Sequence, residues 1–332
     1  MKKLVMTAME TKFRQAFVLH QQGRFAEAEQ AYQDILQRAP TYFDAQHLLG
    51  VVALQSGQIQ RAVELISRAI ELNPNVAATH SNLGSALREL GRHADALASY
   101  DKAIALKPDY AEAYINRGIA LYDLKRFEEA LASHDKAIVI KPDAEAYYNR
   151  GLVLACLNRL EAAVQSYDAA IVLKPDFGQA YSNRGVALRD LNRPEAAVQS
   201  YDKAIALKPE AAVYSNRGNA LRDLNRLEAA VQSYDEAIAL KSDYVEAYSN
   251  RGVALQYLKR LEEAVQSYNK AIVLKPDYAE AYNNRGNVLA DLKRYEEALA
   301  SYEKAVALKP DYAEAYNNRG DALNALKCYE EA

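Results

Sequence analysis

Eight asparagines stand at near-constant spacing: Asn82, Asn116, Asn149, Asn183, Asn216, Asn250, Asn284 and Asn318, separated by 33 or 34 residues. An amide side chain donates through its nitrogen and accepts through its oxygen. It can therefore satisfy a peptide main chain, which offers one N–H and one C=O per residue. A file of such amides has the chemistry of a peptide-gripping surface, with many modest, sequence-tolerant hydrogen bonds. Asparagine is a mediocre helix former, so its recurrence at one register asks for a contact of this kind.

Charged residues follow the same register. Glu112, Glu145, Glu246, Glu280 and Glu314 stand four residues before an asparagine. Glu89, Asp123, Asp190, Asp223 and Asp291 stand seven after one, and Arg88, Arg189 and Arg222 six after. Acidic rows beside the amides disfavour nucleic acid, which needs a basic groove. They favour a peptide carrying some Lys or Arg. A further arginine follows seven of the asparagines: Arg117, Arg150, Arg184, Arg217, Arg251, Arg285 and Arg319. Its expected role is structural, the stem packed between helices and the head paired with Asp101, Asp135, Asp168, Asp202 or Asp235.

Other chemistry is weakly represented. His20, His47, His80, His93 and His134 form no metal-ligand spacing. No glycine-rich phosphate loop, nucleophile elbow or paired-acid motif stands out. The Glu-Glu pairs, such as Glu128-Glu129, complement a helix dipole. The expectation is a non-enzymatic protein without cofactor or metal. Cys156 and Cys328 give no disulfide pattern.

The elements that position the amides follow from a period. Pro40, Pro74, Pro108, Pro142, Pro175, Pro209, Pro276 and Pro310, with Ser242 in one proline's place, recur every 33 or 34 residues. Such a period means a small unit copied along the chain. Within one copy, Tyr114, Gly118 and Leu121 make one stripe at helical spacing, and Ala130, His134 and Ala137 another. Between the stripes, Gly23, Gly57, Gly91, Asn158, Asn192 and Asn225 mark turns that end a helix in the left-handed region. The proline closes the second helix. Each unit is thus a pair of antiparallel helices.

Nine glycines, from Gly50 to Gly320, each stand two residues after the asparagine register, and an alanine follows twelve residues later. Glycine costs a helix about 1 kcal/mol relative to alanine. Its recurrence implies that the helix backbone approaches its partner there. The asparagine, two residues or about 200° away, points away from the partner helix. Nineteen of the 24 tyrosines fall on the glycine or alanine stripes or just after the proline. They are expected to pack between helices. Tyr122, Tyr148 and Tyr257 fall elsewhere on the first helix.

This glycine, alanine, aromatic, alanine, proline pattern resembles the tetratricopeptide repeat (TPR). The resemblance implies an all-α, right-handed superhelix, an α-solenoid whose first helices line the concave wall. Nine repeats are expected at 9–42, 43–76, 77–110, 111–143, 144–177, 178–210, 211–244, 245–278 and 279–312. Residues 1–8 would be a tail. A tenth repeat, 313–332, would stop early in its second helix. The family's tryptophan is tyrosine here, and its leucine before the glycine is arginine. Glutamates stand where carboxylate-clamp TPRs carry lysine, so a chaperone-tail ligand is not expected. The asparagine file is similar to the inner surface of the TPR arm of O-GlcNAc transferases, and residues 20–110 look like early repeats of bacterial enzymes of that type.

Bulk properties fit a scaffold. Half of the 332 residues are hydrophobic and the net charge is −3, which attracts neither nucleic acid nor an anionic membrane. No convincing signal peptide or membrane span is present, so the expected compartment is the cytoplasm. The expected function is protein–protein interaction through extended peptides. Two alternatives stay open. The chain would be the substrate-recruiting arm of a larger glycosyltransferase, or a module that self-associates through its C-terminal end.

Overall fold

The computed structural model describes the backbone of residues 2–330 and the side chains of residues 9–327. Among the described residues every element is a helix. The first members of each pair are α1 (Lys2–Gln21), α3 (Phe43–Gln55), α5 (Ala77–Glu89), α7 (Ala111–Asp123), α9 (Ala144–Cys156), α11 (Gly178–Asp190), α13 (Ala211–Asp223), α15 (Val245–Tyr257), α17 (Ala279–Asp291) and α19 (Ala313–Glu330). The second members are α2 (Phe25–Arg38), α4 (Ile59–Leu72), α6 (His93–Leu106), α8 (Phe127–Ile140), α10 (Leu160–Leu173), α12 (Pro194–Leu207), α14 (Leu227–Leu240), α16 (Leu261–Leu274) and α18 (Tyr295–Leu308). The chain forms two compact units, Met1–Leu173 and Lys174–Ala332.

Turn chemistry sets the pairs. Gly23, Gly57, Gly91, Asn158, Asn192 and Asn225 all have positive φ, as do Lys125, Lys259 and Lys293 at the same place in other copies. At the lysines the turn bears the cost of a left-handed side-chain residue. The backbone N–H of Lys125 donates to Tyr122 O, and that of Arg126 to Leu121 O.

The core repeats with the sequence. Ala62, Ala96, Ala130, Ala163, Ala197, Ala230, Ala264 and Ala298 are fully buried. So are Tyr32, Tyr100, Tyr167, Tyr201, Tyr234, Tyr268 and Tyr302, or nearly so. Each ring of the last six lies against a glycine. A Cβ on Gly151 would stand 2.5 Å from Tyr167 Cε1, and one on Gly218 would stand 2.6 Å from Tyr234 Cε1. Glycine is needed because the aromatic ring occupies the place of a side chain.

The links between pairs also follow the sequence. In the 34-residue copies the tyrosine after the proline closes a turn: Tyr110 N–H donates to Lys107 O at 3.1 Å, and Lys107 Nζ sits 5.1 Å from the ring centroid. Tyr244, Tyr278 and Tyr312 repeat this with Lys241, Lys275 and Lys309. The shorter link after Pro142 has no such tyrosine. Asp143 caps α9 instead, its Oδ1 accepting from Glu145 N at 2.8 Å.

The two ends differ from the sequence expectation. Residues 2–8, expected as a tail, continue α1, since neither glycine nor proline interrupts the segment. α19 runs unbroken to Glu330, through Lys327, where other copies turn. Cys328 and Ala332 lie outside the described side chains.

Candidate functional site

The asparagines fall on successive odd helices. Asn82, Asn116 and Asn149 lie on α5, α7 and α9 of the first unit. Asn183, Asn216, Asn250, Asn284 and Asn318 lie on α11, α13, α15, α17 and α19 of the second. Within each unit consecutive odd helices approach one another closely: α3–α5, α5–α7 and α7–α9, then α11–α13 through to α17–α19. Successive even helices do not approach comparably among the described residues. Curvature that brings odd helices together makes theirs the inner face of each unit.

All eight asparagines are half-buried. Two are tied to the preceding odd helix. Asn82 Nδ2 lies 2.9 Å from His47 Nε2, and Asn318 Nδ2 donates to Asn283 Oδ1 and Asn287 Oδ1, both at 3.0 Å. His47 and Asn283 occupy the place three before the glycine, where Ser81, Ser182, Ser215 and Ser249 stand in other copies. A serine is too short to span the same gap. Asn116, Asn149, Asn216, Asn250 and Asn284 have no side-chain hydrogen bond among the described residues; the facing place is serine for four of them and Ile115 for Asn149. The spacing is the same for the untied pairs, such as Ser215–Asn250; what differs is the reach of the side chain at the facing place.

The charged rows divide. Arg189 Nε donates to Asp223 Oδ2 at 2.8 Å, bridging α11 and α13. Asp123 Oδ2 lies 3.4 Å from His93 Nδ1, and Gln256 Nε2 donates to Asp291 Oδ2 at 3.4 Å. Arg88 lies 3.6 Å from its neighbour Glu89. These residues brace helices as well as line the face. Arg222 is half-buried and Asp190 is exposed. Glu112, Glu145 and Glu246 are exposed in the first turns of α7, α9 and α15, where a carboxylate complements the dipole. Glu280 accepts from Lys309 Nζ at 3.4 Å, and Glu314 from Asn283 Nδ2 at 3.1 Å.

The arginines before the glycine prove structural. Arg117 Nε donates to Asp101 Oδ1 at 2.6 Å and Nη1 to Ser133 Oγ at 2.6 Å. One guanidinium thereby joins α6, α7 and α8. Arg150, Arg217 and Arg251 do the same with Asp135 and Ser166, Asp202 and Ser233, and Asp235 and Ser267. At Arg285 the acid is replaced by Asn269, 2.8 Å from Nη1. Burial without a carboxylate lowers that guanidinium's pKa.

Among the described residues no group of three or more His, Cys, Asp or Glu side chains could hold a metal ion. No helix there is long and apolar enough to cross a membrane. Tyr257 is 69% exposed on α15. Tyr122 lies 3.4 Å from Cys156 Sγ across α7 and α9. Its pKa is pushed up to about 12 by that hydrogen bond and by burial.

Profiles of known families match along nearly all of this framework. Those described as tetratricopeptide repeat match residues 19–83, 111–143, 144–177 and 178–210. Those described as TPR repeat match residues 84–125, 218–258, 257–293 and 286–327. Among solved structures, YrrB, described as a TPR protein with an unusual peptide-binding site, is 26% identical. Its match covers 56% of this chain and 97% of YrrB, with a TM-score of 0.50. A C-terminal part of a TPR repeat-containing protein from Cytophaga hutchinsonii is 19% identical, with a TM-score of 0.60 over 71% of this chain and 97% of that one. A tetratricopeptide repeat protein from Parabacteroides merdae is 17% identical, with a TM-score of 0.55 over 75% and 99%. The last two bear on the fold alone. No curated protein matches the chain. With paired helices, glycine–ring contacts and family matches spread from residue 19 to residue 327, the chain belongs to the tetratricopeptide repeat family.

Proposed function

We propose that the protein is a non-enzymatic scaffold that grips extended peptide segments along the odd-helix face of each unit. The observation that carries this reading is the set of five half-buried amides, Asn116, Asn149, Asn216, Asn250 and Asn284, without side-chain partners among the described residues. Half-burial limits their hydration, and each keeps a donor and an acceptor to offer. Packed helices lie about 8–10 Å apart, and an extended chain advances about 3.3 Å per residue. Each rung would then meet about every third residue of the bound chain. The likeness to YrrB, whose description names a peptide-binding site, supports the ligand class. Exposed Glu112, Glu145 and Glu246 favour peptides that carry Lys or Arg. The same face would serve a free-standing scaffold or the recruiting arm of a larger protein.

The test is a triple substitution, Asn216→Ala, Asn250→Ala and Asn284→Ala. Binders are selected first from a library of unstructured peptides with the native chain. Three lost hydrogen bonds at about 0.5–1.5 kcal/mol each should weaken the selected peptides about tenfold or more. Unchanged affinity, with helix content and melting intact, would refute the asparagine role.

A further inference from the structure

One copy departs from the repeated core. Where seven copies place a tyrosine against the first helix, α8 places His134. Its ring takes the tyrosine's position: a Cβ on Gly118 would stand 2.5 Å from His134 Cε1. The imidazole is shorter than a phenol. In three other copies the phenol oxygen reaches the residue after the glycine: Ser85 for Tyr100, Asn219 for Tyr234 and Asn287 for Tyr302. Here that residue is Ile119, and the phenol oxygen's place is not taken. The result is a cavity of about 190 Å³ between α7, α8 and α9.

We propose that this cavity receives one aromatic side chain of the peptide held along the odd-helix face, an inference that rests on the peptide-binding reading above. Four observations support it. An apolar cavity of roughly 150 Å³ is enough to take a benzene ring, so the size suits an aromatic side chain. Ile119, Tyr122, Leu152 and Val153 supply apolar walls, and Asp123 a carboxylate. His134 is fully buried, and among the described residues neither Nδ1 nor Nε2 has a hydrogen-bond partner. Buried polar atoms of this kind are uncommon and call for a partner, so a ring with a polar edge fits best. Aromatic pairing with Tyr122 and the imidazole adds to simple burial. Asn149, one of the unpartnered amides, also lines the cavity. A chain held by the amide file would therefore pass its mouth.

The test uses p-cresol, the side-chain analogue of tyrosine, with the full chain. It is titrated into isotope-labelled protein while the His134 ring and Asn149 side-chain resonances are followed. Saturable shifts of both are expected. His134→Tyr should weaken p-cresol binding at least tenfold, because tyrosine fills the cavity as it does in seven other copies. The triple Asn216, Asn250 and Asn284 variant should bind p-cresol like the native chain. An absence of saturable shifts in the native protein overturns the proposal, as does unchanged binding by the His134→Tyr variant with native helix content. The two readings fail separately. Loss of the asparagine effect on peptides leaves the p-cresol site standing, and loss of the p-cresol site leaves the asparagine effect.

Discussion

Two copies of the same contact behave differently. In the second unit, Tyr234 of α14 packs on Gly218 of α13, and its hydroxyl donates to Asn219 Oδ1 at 2.8 Å. In the first, His134 of α8 packs on Gly118 of α7 at nearly the same closeness, but faces Ile119 and finds no partner. The glycine, the alanine stripe and the turn are equivalent in the two. The repeat therefore specifies that a ring sits on the glycine. It does not specify whether the ring's polar edge is satisfied, which depends on the residue after the glycine. Tyr234 closes the core with its edge satisfied, whereas the shorter imidazole of His134 lies beside a cavity with a titratable group at its wall.

The largest effect that separates the two is acid sensitivity. Burial pushes the His134 pKa down to about 4, against the ordinary 6.5; Asp135 raises it and Arg150 lowers it by smaller amounts. The unfolded chain takes up the proton first as pH falls. Stability is therefore complete above pH 6.5 and is lost progressively as the pH drops towards 4. The full linkage is about 3 kcal/mol. The protection factors of the α7 and α8 amides, exchange rates taken relative to the free-peptide rate at each pH, should fall over that window in the native chain. His134→Tyr should flatten the profile there, while the amides around Tyr234 keep their own. An equal acid response after the substitution would mean that the imidazole is not its source.

The glycine side of the contact can be broken next. A Cβ at Gly218 would stand 2.6 Å from Tyr234 Cε1 and 2.8 Å from Cζ, so Gly218→Ala forces a buried ring to move. Overpacking of this kind costs typically about 2 kcal/mol. Gly320 offers the control. It occupies the same register on α19, yet among the described residues nothing lies within 4 Å of where its Cβ would stand. Gly320→Ala should be neutral or stabilise by up to about 1 kcal/mol, from helix propensity alone. Chemical denaturation of both variants distinguishes a packing role from a propensity effect. Equal costs would show that the ring contact does not matter.

These contrasts show what was legible in the sequence. Turn positions at Asn158, Asn192 and Asn225, the glycine stripe and the buried tyrosines all follow from local rules repeated many times. The pairing of Arg117 with Asp101 follows from register as well. The His134 cavity does not, because it depends on the difference in length between two rings and on one neighbouring isoleucine. The tying of Asn82 and Asn318 was hidden for the same reason. It is set by the reach of His47 and Asn283, three residues from the glycine, across a helix–helix gap that sequence spacing does not measure. The unbroken run of α19 through Lys327 is likewise not reported by the local turn signals that hold at Lys125, Lys259 and Lys293.

The smallest effect sharpens the comparison most, because it isolates the polar edge. Tyr234→Phe removes the hydroxyl bond to Asn219 and should cost about 1 kcal/mol. Tyr201 makes the opposite case. Its ring packs on Gly185 in the same way, but the next residue is Val186 and its buried hydroxyl has no partner. Burial of an unpaired hydroxyl is unfavourable, so Tyr201→Phe should be neutral or stabilising. Val186→Asn should then supply the missing acceptor and reverse the sign, making Tyr201→Phe costly in that background. A double-mutant cycle over these two positions reads the coupling directly. A coupling near zero would mean that the residue after the glycine does not control the ring's polar edge.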